Sequence, residues 1–194
     1  MNLPVKVSMD ALELLHTRES AVRLQEPAPD ESALAAIFKS ATRAPDHGRL
    51  RPWRFVVIRG DARGRFGDVM AESLKSRLPD ATPEMLTRER GKVLRAPLIV
   101  AVAARIQTGG KIPEIEQILS AGAAAQNIML AAHALGYGAM WKTGEPAYDV
   151  RVKEALGLLA SDAIVGFLYL GTRSGGAAPG ARPAPEDFVT EWIG

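Results

Sequence analysis

The stretch RAPDHGRLRPWRF, residues 43–55, gathers four arginines, Asp46 and His47 around the start of WRFVVI, a run whose hydrophobicity belongs inside a protein. Polar groups crowded so close to a buried strand need either water or a ligand. Few other chemistries compete with ligand binding. The chain has no cysteine, which excludes disulfides, thiolate metal sites and a cysteine nucleophile. His16, His47 and His133 are far apart and show no HExxH or similar spacing, which argues against a zinc enzyme. Neither GxGxxG nor a GxxxxGKS or GxxxxGKT loop follows any candidate strand. A Rossmann or P-loop nucleotide site is therefore disfavoured, and any phosphate must be held by side chains.

These residues have to be positioned by a chain of 194 residues, most simply one domain spanning 1–194 with a short tail over 1–8. Apolar residues make up 47% and charged residues 24%, the balance of an ordinary globular protein. The net charge is only +2, and no run of five basic residues occurs, so nucleic acid is not an expected partner. The N-terminus lacks an apolar signal core, which makes the cytoplasm the expected location.

Ser8 is the expected cap of a first helix, 9–17, in which Met9, Leu12 and Leu15 recur at helical spacing. Asp30 caps a second, with Leu34, Ile37, Phe38 and Ala41 on one face and Pro45 as its terminator. WRFVVIRG and LIVAVAA, 98–104, read as buried strands. Between them Thr82 and Pro83 open a surface helix that ends before Pro97, whereas the glycines of 60–77 make any helix there marginal or broken. The alanine-rich run 115–136 is interrupted by Glu116, Gln117, Ser120, Gln126, Asn127 and His133, so it reads as a buried central helix and not as a membrane span. Its small residues favour packing against a symmetry mate. A short strand in YGAMWKTG, a helix in VRVKEALGL and a strand over 163–172 follow. The tail beyond, 173–194, is rich in glycine and proline yet carries Phe188, Val189, Trp192 and Ile193, which are expected to lie across another surface such as a partner subunit. The alternation of helices and strands predicts a layered α/β sandwich.

Four segments in order, TRESAVRL, APDHGRLRPWRFVVI, GYGAMWKTG and IVGFLYLGT, resemble the flavin-dependent nitroreductase family, most closely its compact YdjA-like branch. The resemblance runs from about Met9 to Phe188. It implies an α+β fold, a three-layer α/β/α sandwich around a central mixed sheet, in a homodimer that exchanges its C-terminal arms. It further implies FMN at the subunit interface, NAD(P)H as reductant and a small-molecule electron acceptor, with no membrane partner. The Arg-x-Ser turn, here Arg18, Glu19 and Ser20, is implied at the flavin's phosphate and ribityl end. A planar guanidinium suits phosphate, and the serine hydroxyl adds a donor. Arg43 and His47 are the implied contacts in the turn after the second helix. Asp46 and Pro45 shape that turn, and Trp53 reads as core. Trp141, Lys142 and Thr143 are implied to pack against the flavin ring from the other subunit, and residues 131–136 to lie near the nicotinamide.

The chain departs from the family pattern at two places. Glu19 stands where a basic residue is usual, and Val22 where a basic side chain commonly meets the pyrimidine edge of the flavin. A reduced flavin is negative at that edge, so Arg23 or Lys142 is the expected substitute. Arg182 is the candidate for a C-terminal phosphate contact, and 60–80 and 105–115 are the expected pocket loops. The resemblance points to a ping-pong oxidoreductase for nitroaromatic or similar electron-poor compounds. A flavin-binding sensor or carrier without turnover is the alternative, because no catalytic acid or base stands out in the sequence.

Overall fold

The computed structural model describes residues 9–175 and 182–194. Helices α1 (Ala11–Thr17), α2 (Glu31–Ala41), α3 (Ala62–Arg77), α4 (Pro83–Gly91), α5 (Glu114–Ala134) and α6 (Val150–Ala155) alternate with strands β1 (Leu24–Gln25), β2 (Trp53–Arg59), β3 (Leu98–Ala104), β4 (Gly138–Lys142) and β5 (Ala163–Arg173). The expected Ser8 cap lies outside the described residues. The carboxylate of Asp10 accepts from the backbone of Leu12 and Glu13 and starts α1 instead. Asp30 and Thr82 cap α2 and α4 as their residue types predict.

β5 is the spine of the sheet. β3 lies along one edge and carries β2 beyond it, while β4 and β1 pair along the other edge. All four ladders are antiparallel, which corrects the expected mixed sheet; the parallel element among the described residues is an isolated bridge from Ser20 to Ala139. The reason lies in the connections. Two helices separate β2 from β3, so the chain returns reversed, and the single crossover through α5 places β3 and β4 in the same direction with β5 between them.

Both sheet faces are covered. Leu98, Val100 and Val102 of β3 meet Leu34 and Ile37 of α2 and Ala125 and Ile128 of α5, whereas Ile99, Ala101 and Ala103 face Phe66 and Met70 of α3 and Val152 of α6. Every residue of β3 is buried, which explains an apolar run without alternation. The helix-on-sheet-on-helix layering agrees with the expected sandwich. The expected weakness of 60–77 is a second correction, because α3 is continuous over sixteen residues. Gly67 permits it: a Cβ there would come within 2.6 Å of the Arg90 carbonyl of α4, so the glycine is a packing contact and not a helix breaker. Tertiary burial outweighs about 1 kcal/mol of poor helix propensity. Among the described residues, no helix is long and apolar enough to cross a membrane.

Candidate functional site

After α1 the chain becomes extended at Arg18 and runs beside β4, with the Ala21 amide donating to the Ala139 carbonyl at 2.8 Å. The Arg-x-Ser turn and the start of the strand that leads into WKTG therefore lie side by side within one chain. Arg18 is half-buried, and its Nη1 is buried with no hydrogen-bond partner among the described residues. Burial and the neighbouring Arg182 hold the pKa of its guanidinium below the usual value. Arg182 donates to the Arg18 carbonyl at 3.5 Å. Ser20 is exposed. Glu19 accepts from Arg173 Nη2. His133 Nε2 lies 3.0 Å from Thr17 Oγ1, whose proton goes to the Glu13 carbonyl at 2.7 Å, so the imidazole nitrogen donates to the threonine oxygen. Burial first, then Arg173 and Arg18, push the His133 pKa down.

Farther along the same segment Ala21 and Val22 reach the mouth of a cavity of about 380 Å³ that also contains Lys142 and Thr143. Alternation along β4 sends Met140 and Lys142 toward this cavity and Ala139 and Trp141 to the other face. The Trp141 indole lies over Gly166, donates to the Val165 carbonyl at 3.2 Å and packs against the α2–α5 core. The cavity walls supply three groups that the sequence motifs did not mark: Lys92, paired with the buried Glu89, and Arg95. Burial raises the nearby Tyr169 hydroxyl to about 12, so it stays protonated at neutral pH. The cation missing at Val22 is therefore available in space from Lys92, seventy positions away in sequence, as well as from Lys142. Arg23 is not among the cavity residues.

Arg43 and His47 stand apart from this cavity. The turn bearing His47 is a 3-10 turn, His47–Arg49, in which Gly48 and Arg49 take positive φ, as does Arg51 two residues beyond it. Asp46 holds it by accepting from the amides of Leu50 at 3.1 Å and Arg51 at 2.9 Å, as its turn-shaping role predicts. Two left-handed arginines within three residues are backbone strain that persists only where the surroundings impose it. Gly48 presses on the 105–113 loop, where an added Cβ would come 2.1 Å from Ile112 Cδ1. His47 Nδ1 contacts Glu116 Oε2 at 2.5 Å, leaving Nε2 to face outward. The two share a shallow groove with Leu119 and Ser120, none of whose residues line the larger cavity. Trp53 donates to Ser120 at 2.9 Å and packs against the core, as expected. Arg43 is exposed. Of the expected pocket loops, 60–80 is largely α3 and contributes only Met70 to the cavity.

A family model described as "Nitroreductase family" matches residues 17–172. A protein of Escherichia coli (strain K12) named "Putative NAD(P)H nitroreductase YdjA" is 42% identical over 183 residues, covering 94% of this chain and 99% of that protein. A protein of Haemophilus influenzae named "Putative NAD(P)H nitroreductase" is 35% identical over 94% of this chain and 99% of its own. Among solved structures, a nitroreductase-like family protein from Bacillus cereus superposes with a TM-score of 0.81 at 22% identity, over 98% of this chain and all of the other. A protein from Desulfovibrio desulfuricans, described as a "putative nitroreductase in complex with FMN", superposes with a TM-score of 0.73 at 26% identity, over 96% and 100% of the two chains.

Proposed function

The chain belongs to the nitroreductase family, and from that premise we propose an FMN-dependent NAD(P)H oxidoreductase, active as a homodimer on nitroaromatic or similar electron-poor organic compounds. The observation that carries the proposal is the layout of one extended segment. Arg18, whose buried nitrogen has no partner among the described residues, stands at one end, and Val22, lining a cationic cavity, stands at the other. Arg18 and Val22 stand four residues apart along this segment, which suits a ligand with an anionic group at one end and a ring at the other.

In this reading Arg18, Ser20 and Arg182 hold the phosphate of FMN. Lys142, Thr143 and Lys92 face the polar edge of its ring. The apolar walls, Met140 and Phe167 among them, keep water from the ring. Glu89 pairs with the Lys92 ammonium and keeps it in place within the cavity. Arg43 and His47 complete the site from a second copy of the chain, since they share no groove with the cavity of their own protomer. The Glu116 carboxylate fixes which His47 nitrogen points outward. When bound, FMN supplies a two-electron carrier between NAD(P)H and the acceptor, and with one carrier serving both in turn the kinetics are ping-pong.

The test is the absorption spectrum of the purified protein followed by NADH or NADPH consumption with an added nitroaromatic or quinone. A flavin spectrum with steady turnover and parallel double-reciprocal lines is expected. A colourless protein that also fails to bind added FMN sinks the proposal, and bound FMN without turnover reassigns the protein as a carrier or sensor.

A further inference from the structure

We infer that Glu19 is a positioning residue and not a cofactor contact: with Arg173 it anchors the Arg18–Ser20 turn to the end of β5 and trims the positive charge of the phosphate cradle to match a dianion. The inference rests on the reading that places the FMN phosphate at Arg18. Glu19 occupies the middle of the Arg-x-Ser turn, yet its carboxylate accepts from Arg173 Nη2, 154 positions away, and its side chain is only 18% exposed. The fold makes room for this contact. Gly138, at the start of β4, would place a Cβ 2.5 Å from Arg173 Cγ and 3.0 Å from Ala21 Cβ, so only glycine lets the Arg173 stem pass between β4 and the turn. Leu24 also pairs with Arg173 in the β1–β5 ladder, which locks both ends of the 18–24 segment onto the same residue.

Charge supplies the second half of the argument. The bond from Arg173 holds the Glu19 carboxyl below the usual range, so it is ionised at neutral pH. His133 is held neutral by burial and by Arg173 and Arg18. Three guanidiniums, Arg18, Arg173 and Arg182, then face one carboxylate, leaving about two net positive charges against a phosphate monoester that carries about −1.5 to −2. Arg173 is held by Glu19, while Arg18 keeps its buried Nη1 unpartnered among the described residues. The division of labour is that Arg173 braces and Arg18 binds. A basic residue at position 19 would leave Arg173 without this partner and place a fourth cation in the turn.

The test compares FMN with riboflavin, which has the same ring and no phosphate, in titrations of apoprotein from the wild type, Glu19→Gln and the charge-swapped double variant Glu19→Arg with Arg173→Glu. The wild type is expected to prefer FMN strongly. Glu19→Gln is expected to lose about tenfold in FMN affinity with riboflavin affinity unchanged, and the swapped pair to recover most of that loss. An FMN-to-riboflavin ratio in Glu19→Gln equal to the wild type's overturns the inference. So does tighter FMN binding, which would make Glu19 a repulsive neighbour of the phosphate, and so does failure of the swap to restore affinity. If Glu19→Gln does not fold, the swapped variant alone decides, since it keeps the pair and reverses its polarity. A wild type that binds FMN no better than riboflavin refutes the phosphate assignment itself, which is a separate result.

Discussion

Arg18 illustrates how one side chain can be informative through what it lacks. A guanidinium offers five donors, and burying one without an acceptor is costly unless a ligand arrives. Arg18→Ala is therefore expected to weaken FMN binding by about 1.5–3 kcal/mol, the scale of a hydrogen bond to a charged group, and to leave the fold intact; titration of apoprotein measures it. His133 makes a pH prediction. Its folded pKa lies below the ordinary value, so on acidification the unfolded chain takes up the proton first. The contribution to stability is then present above about pH 6.5 and is lost as the pH falls from there through the folded value. Denaturant unfolding at pH 7.5, 6.5 and 5.5 should show the apoprotein losing more stability than His133→Gln over that interval. Bound phosphate adds negative charge beside the imidazole and should raise its pKa, which proton NMR of the histidines can follow.

At the scale of elements, the ends of β3 and β5 away from the cavity are tied by Arg105 and Asp162. Asp162 is fully buried; its Oδ2 accepts from Arg105 Nε at 3.0 Å and from the Leu159 amide at 2.9 Å, while Oδ1 has no partner among the described residues. Removing the guanidinium leaves a buried carboxylate without its counter-charge. Arg105→Ala should cost about 3–5 kcal/mol of stability, measured by urea unfolding, while the folded fraction retains its FMN affinity. Element boundaries show which local signals are trustworthy. Caps at Asp30 and Thr82 were legible because one side chain satisfies a backbone donor within three residues. Helix α3 was not, because Gly67 is explained only by Arg90, and that contact does not exist until α3 and α4 pack.

At the scale of the whole molecule, several large apolar side chains lie uncovered. Leu12 and Leu15 on α1, Ile115 and Leu119 at the start of α5, and Phe188, Val189, Trp192 and Ile193 at the C-terminus are all more than half exposed in a single chain. Their concentration on a few surfaces is what an interface requires, and Leu119 adjoins the groove that holds His47. Sedimentation at micromolar concentration should find a homodimer. Removing residues 183–194 deletes the exposed Trp192 anchor and should raise the dimer dissociation constant by at least about tenfold. FMN affinity should fall with it, because the cavity of one protomer lacks Arg43 and His47. A stable monomer that binds FMN as tightly as the full chain would contradict the shared site.

What the sequence determined by itself was local or carried by ordered motifs: the apolar runs of β2, β3 and β5, the helices capped by Asp30 and Thr82, and the family. These were readable because periodicity, caps and motif order act within a few residues of one another. Tertiary structure decided what depends on distant residues meeting. It made the sheet antiparallel by setting how each helical connection returns, and it sent Trp141 into the core and Lys142 to the cavity by fixing which face of β4 meets α5. It also supplied Lys92 to the cavity where Val22 brings no charge, and it engaged Glu19 with Arg173 across 154 positions. Spacing in sequence carries no record of such pairs, because a charge is satisfied by whatever the fold places within reach, wherever that group lies along the chain.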